Sequence, residues 1–183
     1  LLRVPRAALW RAWGEPEHLK QWWCPKPWAT EVRAFEFRPG GDFHTFMRGP
    51  DGGTSDNPGS FVEIVPQQRI VFTTMLSGGW RPQISWMPMT AVFTFADEDG
   101  GTRYTATAMH PDAATRDKHA QMGFHEGWGT ALDQLVVERL AREMSPDDCK
   151  PHPTRRRSVH LEPHAVCAAK SASPRSRYSR PTG

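Results

Sequence analysis

Cysteine is scarce in this chain: three occur in 183 residues, at Cys24, Cys149 and Cys167. Three scattered thiols cannot build the crosslinks of a small secreted scaffold, so a disulfide framework is excluded and a reducing cytoplasm is the expected compartment. Long apolar runs are missing as well. No stretch approaches the roughly 20 residues that span a bilayer as a helix, and the mean hydropathy is −0.62. The opening Leu1-Leu-Arg-Val-Pro5 carries no Met and is too short for a secretion signal, so the chain reads as truncated at its N-terminus. Catalytic signatures are absent too: there is no Gly-x-Ser-x-Gly elbow, no phosphate-binding loop and no dinucleotide fingerprint. No cofactor is therefore expected. There is no internal repeat.

Charge divides what remains. Residues 145–183 hold eight Lys or Arg against three Asp or Glu; the first 144 residues hold 15 against 17. The pI near 9.0 is thus a property of the tail. The tail also holds six of the 17 Pro and none of the eight Trp. With so little to bury, it cannot offset the entropy of ordering, and disorder is expected. Cys149-x2-His152 and His164-x2-Cys167 have the spacing of zinc ligands. Prolines and Arg155-Arg-Arg157 separate the two pairs with no strand or helix pattern, so no metal is assigned. The Arg run could touch nucleic acid non-specifically; a solvated tail, or an aberrant C-terminus, is the plainer reading.

The domain, residues 1–144, is organised around one long helix expected from Ala113 to Met144. Met122, Trp128, Leu132, Leu135, Val136 and Leu140 recur at helical spacing. Asp112 is placed to accept hydrogen bonds from the first turn. Gly123, Gly127 and Gly129 each weaken such a helix by about 1 kcal/mol relative to Ala, so it must be held by what it packs against. Before it come two short helices, over 5–13 and 16–23, each opened by a proline. Strands are expected at 30–38, 42–48, 59–65, 69–75, 89–96 and 102–110, with a long loop over 76–88 carrying Trp80 and Trp86. Short connections such as Asp99-Gly100-Gly101 imply an antiparallel meander. The result is an α+β fold with a sheet of six to seven strands.

Several segments carry a family resemblance. Pro5-Arg-Ala-Ala-Leu-Trp-Arg-Ala-Trp13, Pro16-Glu-His-Leu-Lys-Gln-Trp-Trp23, Arg38-Pro-Gly-Gly-Asp-Phe43, Met47-Arg-Gly-Pro-Asp-Gly52, Val65-Pro-Gln-Gln-Arg-Ile-Val-Phe-Thr73, Gly101-Thr-Arg-Tyr-Thr105 and the stretch from Gly123 to Leu135 resemble, in that order, the activator of heat-shock-protein-90 ATPase homologue family, within the START-like (SRPBCC) superfamily. The resemblance covers about residues 4–140. It implies a helix-grip fold: a curved antiparallel sheet around the long helix, a cavity between them, and an N-terminal strand of which Leu1–Val4 is the remnant. Gly14-Glu15 and the tail depart from the family pattern.

Such a cavity would draw on Trp23, Phe35, Phe43, Met47, Thr73, Phe93, Tyr104, Phe124 and Trp128, residues that otherwise simply fill a core. His110, His119 and His125 are close in sequence. However, His119 and His125 lie about 240° apart around a helix, so a convergent metal set is not expected. His125-Glu126 is not an acid–base pair, because helix neighbours do not face each other. Cys24 with His18 is a conceivable thiol pair, but nothing local except Lys26 would activate it. No catalytic residue is assigned. The leading reading is non-catalytic binding of a small hydrophobic or aromatic molecule. The alternatives are a protein-interaction module acting on a chaperone ATPase, as the family name suggests, and a polyketide-cyclase-type enzyme. Deletion after Met144 is expected to leave the melting temperature nearly unchanged, because the tail has little apolar surface to contribute; a loss of several degrees would mean that it packs on the domain.

Overall fold

Proline opens both N-terminal helices. Pro5 precedes α1 (Arg6–Gly14), and Pro16 is the first residue of α2 (Pro16–Trp22). A computed structural model describes residues 1–143 of the chain, and every structural statement below concerns those residues. The expected tail and the expected helix end at Met144 lie outside the described residues, and the Leu140 position of the helix stripe lies outside the described side chains. On α1, Leu9, Ala12 and Trp13 are fully buried; on α2, so are Leu19 and Trp22.

The strands follow as β1 (Ala29–Phe35), β2 (Phe43–Arg48), β3 (Thr54–Asn57), β4 (Ser60–Val65), β5 (Arg69–Thr73), β6 (Leu76–Ser77), β7 (Arg81–Pro82), β8 (Thr90–Glu98) and β9 (Gly101–Met109). All pairings are antiparallel, in the orders β1-β2-β3 and β4-β5-β8-β9. The two groups join where Asp42 bridges Ser60, with the Phe43 and Phe61 amides donating across the junction at 3.0 Å each. On the far side, Leu2 bridges Thr102, so the N-terminal segment adds to β9. Asp99 and Gly100 both take positive φ, 47° and 73°, and close the β8–β9 hairpin as a two-residue turn matched to strand twist. Two elements were not expected. β3 forms by pairing onto β2, and part of the supposed 76–88 loop is the small β6–β7 hairpin.

The expected single helix over 113–144 is two helices, α3 (Ala113–Gln121) and α4 (Phe124–Glu143). The reason is Gly123, whose φ of +80° cannot belong to a right-handed helix. Asp112 caps α3 as expected, its carboxylate accepting the Thr115 amide at 2.7 Å. That bond holds the Asp112 carboxyl below its usual range. In α4, Ala131 and Leu135 are buried, with Trp128, Leu132 and Val136 packed against the core. Its backbone lies closest to α1 and α2, and its side chains reach past them to the sheet, as Trp128 does to Phe93 at 5.5 Å.

Two glycines of this segment make opposite predictions. Gly123→Ala forces a left-handed conformation on a side-chain-bearing residue and should cost about 1–2 kcal/mol. At Gly129 the backbone is helical and an added Cβ meets nothing within 4 Å, so Gly129→Ala should stabilise by about 0.5–1 kcal/mol. Chemical denaturation of the two variants distinguishes these signs.

Candidate functional site

The interior of the sheet is not filled evenly. On β8, Ala91, Phe93 and Phe95 point inward; their partners on β9 are Ala108, Ala106 and Tyr104. The inward face of β9 thus tapers from tyrosine to two alanines. Over that small end stand Gly123 and Gly127 of the helical segment. Where both facing surfaces are small, a cavity of about 410 Å³ remains.

Its aromatic wall comes from several elements. Trp23 follows α2, Phe43 starts β2, Phe72 lies on β5, Phe93 on β8, and Phe124 and Trp128 on α4. Trp23 meets Trp128 edge-on at 5.7 Å and Phe43 at 5.2 Å. Met47, Met87, Met89 and Met122 add thioether surface, and the half-exposed Trp86 and Met122 mark the solvent side. The loop that carries Trp23 and Cys24 is tied to α4 through one side chain. Gln134 donates to the carbonyls of Cys24 (2.8 Å) and Trp22 (3.3 Å) and accepts from the Lys26 amide (2.9 Å).

The polar lining includes Thr45, Ser55, Asn57, Thr74 and His119. Thr74 is committed to the protein: it donates to the Met87 carbonyl at 2.8 Å and accepts from the Met89 amide at 3.0 Å. Cys24 is buried, and the Thr30 hydroxyl donates to its sulfur at 3.0 Å. Burial pushes its pKa up, only partly opposed by that hydrogen bond, so the thiol stays protonated and unreactive. His18 lies beside Glu15, at 3.4 Å.

Residues 3–138 match the model of the activator of Hsp90 ATPase homolog 1-like proteins. The chain belongs to that family. Among solved structures it is similar to a protein of Nitrosomonas europaea, with 41% identity over 79% of this chain and 92% of that one and a TM-score of 0.74. A protein of Mycobacterium smegmatis shares 26% identity over 74% and 84% of the two chains, with a TM-score of 0.64. One from Rhizobium leguminosarum shares 28% over 76% and 90%, with a TM-score of 0.54. No curated protein matches. With this membership the α+β architecture is a helix-grip fold. No described helix is long and apolar enough to cross a membrane.

Six of the nine residues expected at the cavity line it: Trp23, Phe43, Met47, Phe93, Phe124 and Trp128. Three do not. Phe35 packs into the core against Phe43 and Phe61, at 6.0 and 5.5 Å. Thr73 is one position out of phase: strand alternation turns Phe72 and Thr74 to the cavity, and the Thr73 hydroxyl donates to the Met89 carbonyl at 3.0 Å. Tyr104 lies on the inward face but at its large end, 5.3 Å from Phe95, with its hydroxyl buried beside the Trp13 indole. Burial pushes that phenol well above its usual pKa. Gly123 and Gly127 line the cavity, whereas Gly129 is exposed.

The histidines also differ from expectation. His110 and His119 are brought together, His110 Nε2 to His119 Nδ1 at 2.8 Å, because the chain reverses between β9 and α3. His119 lies 4.1 Å from the Phe124 ring, while His125 is exposed. No cluster of three potential metal ligands occurs among the described residues. Desolvation, followed by the charges of His110 and His125, lowers the His119 pKa from 6.5 to about 4.

That shift has a stability consequence. The unfolded chain protonates His119 near pH 6.5 while the folded protein holds it neutral to about 4. Its contribution is therefore complete above 6.5 and is lost as pH falls towards 4. As pH falls from 6.5 towards 4, the wild type should lose melting temperature relative to His119→Phe. A constant difference would remove His119 from the pH response.

Proposed function

We propose that this protein binds a small apolar or aromatic molecule reversibly in the cavity between the sheet and the α3–α4 segment, without covalent chemistry. The observation that carries this reading is the unfilled space itself. Protein interiors are packed like organic crystals and leave few voids larger than a water. Here about 410 Å³ is kept open behind aromatic and thioether side chains, within the size range of small-molecule sites. The site residues of this reading are the six lining residues named above, together with Gly127. Scarce cysteine and a buried, protonated Cys24 fit work in a reducing cytoplasm.

A second reading has its own observation. In the 76–88 segment, Trp80 takes a left-handed φ of 63° and is 52% exposed, and Ile84 is wholly exposed. Exposed apolar side chains of this kind are what a protein partner covers. This supports an interaction module, with a chaperone as the partner that the family's description suggests.

Filling the cavity separates the two readings. A Cβ at Gly127 would lie 3.7 Å from Pro25 Cγ, so a side chain there grows along the cavity wall, whereas one at Gly129 meets open space. Gly127→Leu should abolish uptake of Nile red, an uncharged apolar dye, and Gly129→Leu should leave it unchanged, with circular dichroism confirming that both variants fold. Undiminished uptake by folded Gly127→Leu would move the function to the 76–88 surface.

A further inference from the structure

Among the described residues, the cavity wall carries no Asp, Glu, Lys or Arg. Its titratable side chains are Cys24, kept protonated by burial, and His119, kept neutral chiefly by desolvation. An ionic ligand buried there would give up its hydration and find no counter-charge. What the wall offers instead is a set of neutral hydrogen-bonding groups, and one of them is fixed by a second residue outside the wall.

At 2.8 Å, His110 Nε2 and His119 Nδ1 share a single proton. If His110 donates it, a neutral His119 carries its own proton on Nε2 and that nitrogen is a donor. If His119 donates it, Nε2 is bare and accepts. In both cases a cavity-lining imidazole is left with one ring nitrogen of defined role, and that nitrogen makes no hydrogen bond among the described residues. A hydroxyl both donates and accepts, so it matches either tautomer, whereas a carbonyl or an ether matches only one.

We propose that the His110–His119 pair is the polar recognition element of the cavity and selects an uncharged aromatic molecule bearing a hydroxyl. His119 touches the ligand; His110 is a positioning residue that sets its tautomer. The inference rests on the reading of the cavity as a ligand site. Two other handles compete on the same wall: the Thr45 hydroxyl, on a residue 2% exposed, and the Trp128 indole N–H, buried without a hydrogen-bond partner among the described residues.

Displacement of Nile red from the full chain at neutral pH tests this with four probes on one ring system: naphthalene, 2-naphthol, 2-naphthoate and 2-naphthylmethylammonium. 2-Naphthol should bind about 5- to 10-fold tighter than naphthalene, the worth of one hydrogen bond, and both ions should bind more weakly than naphthalene. His119→Phe should bring 2-naphthol down to the naphthalene level, and His119→Gln should restore part of the preference. His110→Phe should lower the naphthol-to-naphthalene ratio while naphthalene affinity holds, which loss of structure alone would not do. Equal binding of 2-naphthol and naphthalene, tightest binding of 2-naphthoate, or a preference that survives His119→Phe, whether or not it vanishes in Thr45→Val, would each overturn the assignment. If neither Nile red nor naphthalene binds at all, the cavity reading itself has failed.

Discussion

Trp13, Trp22, Trp23 and Trp128 pack on one another and on Phe93, and the rest of the structure is arranged around that contact. Their ring centroids lie 4.4 to 6.2 Å apart, most of them edge to face. The cluster takes residues from both short helices, the long helix and the central strand β8, so no one of these elements is positioned without the others. Each such pair contributes about 0.5–1.5 kcal/mol beyond area burial. The cluster also carries a cost. The Trp22 indole donates to the Ala12 carbonyl at 3.2 Å and the Trp13 indole lies beside the Tyr104 hydroxyl, but the Trp128 N–H is buried without a partner among the described residues, about 1–3 kcal/mol. Seven aromatic contacts, with the apolar area they bury, outweigh that orphaned donor.

The cavity is the complement of that cluster. Aromatic rings fill the sheet where α1 and α2 cover it, and small residues leave it open where α3 and the start of α4 cover it. Ala91, Ala106 and Ala108 on the strands face Gly123 and Gly127 on the helical segment. The walls do not collapse because their backbones are tied: β8 and β9 pair over their whole length, and Gln134 fixes the Trp22–Lys26 loop to α4 from both its donor and its acceptor side. A void between rigid walls is emptied or filled by a ligand; it is not closed by relaxation.

Much of this was legible in the residues. Alternation and turn chemistry located the principal strands, Pro5 and Pro16 the short helices, and Asp112 the cap of α3. The aromatic side of the cavity was legible because strand phase and helix stripe point the same way at Phe43, Met47, Phe93 and Trp128. The errors have specific causes. Thr73 was misplaced by one position because Val71, Phe72, Thr73 and Thr74 are all buried, and a strand covered on both faces shows no alternation. Tyr104 lay on the correct face, but the width of the interior at its height is set by Trp13, from a different element. Ala106 and Ala108 were overlooked because alanine in a strand reads as weak core, although its smallness is what leaves the space. Gln134 gave no signal, since its partners are backbone groups more than 100 positions away.

The interrupted helix shows why an incorrect local reading can conceal a site. In a straight helix, His119 and His125 diverge and His110 is remote, so the three histidines have nothing in common. The positive φ of Gly123 ends α3 and restarts the helix at Phe124. His119 is thereby set against the Phe124 ring and reaches back to His110 at the end of β9. α3 itself buries no side chain, so it draws little stability from the core and belongs to the easily opened part of the molecule. Its attachments include the Asp112 cap, the two-histidine contact, the His119–Phe124 ring contact and a Lys118 ammonium 5.9 Å from the Trp86 ring. The same contact that engages His119 Nδ1 therefore also helps to hold α3 beside the cavity. Under the proposed reading, recognition of a ligand's polar atom and closure of the wall behind it would draw on one pair of side chains, and the helix break at Gly123 is what lets them meet.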